Sequence, residues 1–110
     1  MLQIIGTKKS RESEKAERFA KERRLPYQFI DISIKNLSEK EWKSILSSVS
    51  DPDLLIDKTS AYYRKNGYVW REYDAVEELI MHPELLILPI LRQSGRAVAG
   101  FDPSFMEEKN

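Results

Sequence analysis

Apolar positions change their period several times along the chain, and each change marks an element. Leu2, Ile4 and Ile5 make a short run with β-branched side chains, closed by Gly6, which predicts a buried strand over residues 2–5. Residues 7–10 are a polar turn. Helical periodicity then runs over 11–24, with Ala16, Phe19 and Ala20 on one face and Ser10 or Ser13 as the cap. Leu25-Pro26 stops it, because a residue before proline disfavours the α region. Residues 27–32 read Tyr-Gln-Phe-Ile-Asp-Ile, apolar on both faces, which predicts a second, internal strand. Parallel pairing of the two strands would require a right-handed crossover.

The middle of the chain is helical. Ser38 and Glu41 have capping-box spacing, and Trp42, Ile45, Leu46 and Val49 follow at i, i+3, i+4 and i+7. Asp51-Pro52 ends that helix or opens the next, and residues 54–56 are a brief apolar patch. Residues 60–65 read as helix, with Asn66-Gly67 as a left-handed stop. Residues 74–81 make another amphipathic helix ending at His82-Pro83. The last third turns to strand: residues 85–91 are strongly apolar, 93–95 form a turn, and 96–101 return as a hairpin partner. Asp102-Pro103-Ser104 opens a short closing helix. The parts make one domain over 1–110: a βαβ unit (1–34), a helical insertion (36–82) and a ββα unit (85–110). The fold class is α/β, with a mixed sheet of about four strands.

Composition narrows the function. The chain has 110 residues, enough for one core. Eighteen basic and eighteen acidic side chains give a formal net charge of zero, which argues against direct nucleic-acid binding or an anionic membrane. No charged leader precedes an apolar run at residues 1–6, and no apolar stretch reaches spanning length, so a cytoplasmic location is expected. There is no cysteine, which removes disulfides, thiolate metal sites and thiol catalysis together. A single histidine rules out a multi-histidine zinc centre. No cofactor and no metal are expected.

Five segments, in order, carry a family resemblance. They are Ser10-Arg11-Glu12-Ser13-Glu14-Lys15-Ala16 after the first strand, Leu25-Pro26-Tyr27 leading to Asp31-Ile32, Tyr62-Tyr63-Arg64-Lys65, residues 82–90 (His-Pro-Glu-Leu-Leu-Ile-Leu-Pro-Ile), and residues 98–103 (Val-Ala-Gly-Phe-Asp-Pro). Over nearly the whole chain this resembles the arsenate reductase (ArsC)/Spx family. The resemblance implies a thioredoxin-like, glutaredoxin-like sheet carrying an inserted helical region. It also implies a cis peptide at Leu88-Pro89, facing the turn into the first helix.

The departures from the family bear on function. Ser10 and Ser13 stand where an Spx-like member has its two cysteines, and a hydroxyl with no adjacent base is a poor nucleophile. Leu88 stands where the reductases carry an arginine before the proline, and Asp57 or Lys58 fills the position of another. Nucleophile and at least one anion clamp are lost together, so no catalytic residue is expected. Serine at both positions is also what a cysteine-to-serine exchange leaves, and under that history an Spx-like redox-sensing regulator stays open.

Two readings attach to the turn. Thr7, Lys8, Lys9, Ser10 and Arg11, with Pro89 opposite, are the candidate ligand-binding set: a helix N-terminus and three cations suit a small oxyanion or glutathione. Capping alone accounts for Ser10, which favours an ordinary turn with solvated lysines. His82 as a base for Ser10 has no spacing to support it; a helix-terminal cap or surface role fits it better. Trp42 has core periodicity, and part of the aromatic stretch 62–73, where Arg64, Lys65 and Arg71 are interleaved, is expected to be exposed. Glu77-Glu78 and Glu107-Glu108 diverge on a helix and read as solvated faces.

The resemblance thus implies a pseudoenzyme that binds a protein partner, as Spx-like members bind RNA polymerase, although they carry a glycine near the position of Asp51-Pro52. The alternative is a glutathione-dependent oxidoreductase of the arsenate reductase class that takes its thiol in trans.

Overall fold

The computed structural model of the chain describes residues 1–108. Strand β1 (Leu2–Gly6) leads through a turn into helix α1 (Arg11–Glu22) and strand β2 (Tyr27–Asp31). Helix α2 (Glu39–Ser47), α3 (Ala61–Lys65) and α4 (Ala75–Met81) follow, separated by 3₁₀ turns at Pro52–Leu55 and Tyr68–Trp70, with a third at Pro83–Leu85. Strands β3 (Ile90–Gln93) and β4 (Arg96–Ala99) form a hairpin before helix α5 (Pro103–Met106). The expected closing unit over 85–110 includes Lys109 and Asn110, which lie outside the described residues.

The four strands form one mixed sheet in the order β2-β1-β3-β4. β1 runs parallel to β2, with Ile4 opposite Phe29, and antiparallel to β3, with Ile4 opposite Leu91. Alternation along β1 assigns its side chains to two cores. Ile4 joins Ala16, Ala20, Leu91, Phe105 and Met106 beneath α1 and α5. Ile5 joins Trp42, Ile45, Leu79, Leu85 and Ile90 beneath the helical insertion. Ile4, Ile5, Ile90 and Leu91 are fully buried, each worth about 1.5–3 kcal/mol of transfer free energy. This is why β1 and β3 each carry two adjacent apolar residues, Ile4-Ile5 and Ile90-Leu91, one for each core.

Local signals place the helix starts. Ser38 Oγ accepts from Glu41 N at 3.2 Å while Glu41 Oε1 accepts from Ser38 N at 2.9 Å, the reciprocal capping box. Ser60, Asp74 and Asp102 cap α3, α4 and α5 in the same one-sided way as Ser10 caps α1. Gly67 takes the left-handed conformation expected of a stop after Asn66, with φ of 72°.

Several expectations are corrected. β2 lies at the sheet edge, not inside it, because β3 occupies the other side of β1 and no strand among the described residues pairs beyond β2; its side chains are half-buried or exposed. The apolar run 85–91 is not one strand. Leu85 ends a 3₁₀ turn, Leu86 makes an isolated bridge to Ile56, and pairing begins only after Pro89, which has no N–H to donate. Gln93 is in β3, so the hairpin turn is Ser94-Gly95 alone, both with positive φ, the two-residue turn that suits strand twist. β4 stops at Ala99, before Gly100 at φ of 90°. α1 stops at Glu22, and Arg24 is left-handed with φ of 55°.

Candidate functional site

The candidate site grows from the junction of β1 and α1. Gly6 ends β1, where its carbonyl accepts from Ile32 N at 3.0 Å. Ser10 N donates to Thr7 O at 3.2 Å, which closes the turn. Ser10 is extended, and its Oγ accepts from Ser13 N at 3.2 Å. The hydroxyl is therefore engaged as a helix cap, and Glu12 and Glu14 in the first turn already complement the positive end of the helix dipole.

Ser13 faces inward and is fully buried, and its Oγ has no hydrogen-bond partner among the described residues. It packs onto the end of β1. A Cβ on Gly6 would lie 2.1 Å from Ser13 Oγ and 2.7 Å from its Cβ, so only glycine permits this approach of strand and helix. The buried hydroxyl thus makes no hydrogen bond, a position better matched to a small soft sulfur or a methyl group than to a hydroxyl.

The three cations of the turn do not converge. Lys8 Nζ donates to Glu17 Oε1 at 3.2 Å and lies 4.2 Å from the Phe29 ring centre. Glu17 also accepts from Tyr27 OH at 2.9 Å. Burial pushes the Glu17 carboxyl up, but the Tyr27 and Lys8 bonds outweigh it and hold the group below its ordinary value. Lys8 is thus a structural counter-ion. Lys9 and Arg11 are exposed, with no ion pair among the described residues.

Of the candidate binding residues, Thr7 borders the cavity at the carboxyl end of β1. This cavity, of about 360 Å³, also takes Ile32, Ser33, Asn36, Glu84 and Leu88 as walls. Lys8, Lys9, Ser10 and Arg11 are not among its walls, nor is Pro89, although Leu88 is. Leu88-Pro89 is cis, as the resemblance implies, and Pro89 is buried, with its carbonyl accepting from Gly100 N at 2.7 Å. Leu88 thus opens on a largely apolar cavity whose one charged wall is the Glu84 carboxylate, unsuited to an oxyanion. Among the described residues no group of His, Asp and Glu side chains converges to hold a metal ion.

His82 is occupied elsewhere: its Nδ1 pairs with Tyr62 OH at 2.8 Å, and it closes the end of α4 through its backbone N–H. The tyrosines of the insertion, part of which the sequence pattern assigned to the surface, form a connected cluster. Tyr63 and Tyr68 stack at 5.3 Å, and Tyr73 meets both edge-on. Tyr68 OH donates to Glu78 at 2.8 Å, and Tyr73 OH donates to Asp53 at 3.0 Å. Burial, then the Glu78 bond, pushes the Tyr68 hydroxyl up to about 12, and burial raises Tyr73 as well. Such groups are neutral donors at ordinary pH, not bases or nucleophiles. Lys58, bonded to Asp53 at 2.6 Å, holds that carboxyl below its usual value. The exposed large apolar side chains of the stretch are Val69 and Trp70, the latter 89% exposed, beside the exposed Arg64, Lys65 and Arg71. Single aromatic spacing in the sequence carries no signal for which ring turns inward; the pairing of Tyr68 with Glu78 needs the packed insertion.

No family model and no curated protein matches the chain. Solved structures do. The chain is similar to the YffB protein, with a TM-score of 0.81, 19% identity, and 96% of this chain and 95% of that chain covered. It is similar to the arsenate reductase from Vibrio cholerae, with a TM-score of 0.79, 16% identity, and 96% and 93% covered. It is also similar to an arsenate reductase (ArsC) related protein from Brucella melitensis, with a TM-score of 0.72, 22% identity, and 96% and 91% covered. The fold is thus the thioredoxin-like fold of these proteins. Among the described residues no helix is long and apolar enough to cross a membrane.

Proposed function

We propose that this chain is a non-catalytic relative of the arsenate reductases that acts by binding a protein partner, in a role connected with transcription. The observation that carries the reading is the state of the nucleophile position. Ser10 Oγ is engaged as the cap of α1, and no thiol exists anywhere in the sequence to replace it. Leu88 in place of an arginine, and Glu84 on the same cavity, point the same way. RNA polymerase is the partner class that the resemblance suggests, through the carboxy-terminal domain of its α chain; Asp51-Pro52 in place of a glycine is the departure against it.

The cavity between Thr7 and Leu88 favours a second reading, in which it holds glutathione and the thiol arrives in trans. Amide NMR of the labelled protein separates the two. The protein is titrated in turn with arsenate, phosphate, glutathione and the polymerase domain. The binding-protein reading expects saturable shifts with the polymerase domain and none at residues 7–13 or around Pro89 with the small molecules. Saturable shifts at those residues with glutathione or an oxyanion would replace it with the second reading.

A further inference from the structure

On the insertion side of the sheet, a groove of about 400 Å³ runs between α2 and the end of α4, floored by Leu37, Trp42, Leu46 and Ile80. Its shape is held from within. Asn36 Nδ2 donates to Ile80 O at 2.8 Å, and Asn36 Oδ1 accepts from Leu37 N at 2.7 Å and from Trp42 Nε1 at 3.2 Å. The loop leading into it is also fixed: Asp31 accepts from Ser33 N at 3.0 Å and from Ile34 N, through its carbonyl, at 3.2 Å. That loop presents Ile34, 83% exposed, two residues before Asn36. Ile34 lines an adjoining hollow with Lys35 and Asn36, and Asn36 also lines the groove, so an apolar knob stands beside the apolar hole.

The rim carries both signs of charge. Glu39 and Lys43 line the groove four residues apart on α2, in the order that favours an intrahelical pair, and Lys40 stands between them. None of the three forms an ion pair among the described residues. Glu41 is used in the capping box.

A closed two-fold interface must be self-complementary, each patch meeting its own copy. Knob with hole and free acid with free base satisfy that on a single face. A strongly acidic or strongly basic partner would meet a rim of mixed sign, and a chain of zero net charge does not repel its own copy. We infer that this face joins two copies of the chain, with α2 antiparallel to its symmetry mate. Glu39 then pairs with Lys43 of the partner subunit, twice by symmetry, and each Ile34 enters the opposing groove. This groove adjoins the Thr7–Leu88 cavity through Asn36, which lines both, but the inference does not depend on the function proposed above.

Sedimentation equilibrium over a concentration series tests it, with dispersed amide spectra as the control for folding. All the altered side chains are exposed, so the fold is expected to survive. Ile34→Asp and Lys43→Glu are each expected to weaken the dimer at least about tenfold, as loss of an interface anchor does. The double exchange Glu39→Lys/Lys43→Glu is expected to restore association, because the reciprocal pairs re-form with their signs reversed. A chain that stays monomeric up to about 1 mM, the weakest affinity that matters here, would overturn the inference and leave the groove to a foreign occupant. A dimer indifferent to both single substitutions, or one the double exchange fails to restore, would also overturn it.

Discussion

At the turn before α1, two serine hydroxyls lie one helical turn apart, one spent on a cap and the other buried without a partner. In the insertion, four tyrosine hydroxyls are each bonded to a carboxylate, an imidazole or another tyrosine. The first region is where resemblance places chemistry, and of its two hydroxyls only that of Ser10 contributes to the fold, as a helix cap. The second has no expected chemistry, yet it holds most of the shifted titratable groups. Shifted pKa values often mark active sites, but a buried hydrogen-bonded network produces them too. Here the direction of the shifts decides: raised tyrosines paired with lowered Asp53 make each group a better structural partner and a poorer catalyst.

The contrast is broken most directly at Tyr68. Tyr68→Ala is expected to lose about 3–5 kcal/mol of stability in urea unfolding, since it removes a buried ring and leaves Glu78 without its donor. A loss no larger than that from a helix cap would mean that the cluster does not hold the insertion together. Smaller effects of opposite sign are expected at the two serines. Ser10→Ala loses about 1 kcal/mol with the cap. Ser13→Ala gains about 1 kcal/mol, because it removes an unsatisfied buried hydroxyl and no hydrogen bond. The same unfolding curves check both, and a loss at Ser13 would show that its hydroxyl is satisfied in solution.

The smallest effects are those of pH. The Tyr68 hydroxyl has a folded value of about 12 against an ordinary 10.0, so its contribution is complete below pH 10 and disappears as pH rises through 12. Alkaline titration of tyrosine absorbance should therefore show a late class of tyrosines that ionises with unfolding. Asp53 acts in the reverse sense. Its carboxyl, held down by Lys58 and Tyr73, stabilises the fold above its ordinary 3.8, and that contribution is lost as pH falls through the lowered value. Asp53→Asn should flatten the acid limb of the stability curve.

The fold was largely readable from residues in order. The helix at Ser38 was signalled by a capping box and an apolar stripe, and both are present. The hairpin was signalled by Gln93-Ser94-Gly95 between apolar runs, of which only Ser94-Gly95 form the turn. The candidate site was readable only in composition: no cysteine, and Leu88 before a proline. That Lys8 is drawn to Glu17 and Tyr27, away from any anion, depends on how α1 lies on β2, which no local pattern encodes.

The sequence by itself determined the order of the elements, the starts of the helices and the absence of thiol chemistry, because caps, turns and residue identity act over a few neighbouring residues. Only the tertiary structure decided that β2 is an edge, that the run 85–91 splits at Pro89, that Ser13 is left without a partner and that the tyrosines face inward. Each of these depends on which distant segment arrives to cover a surface, and apolar burial, being non-directional, leaves that choice to the packing of the whole chain.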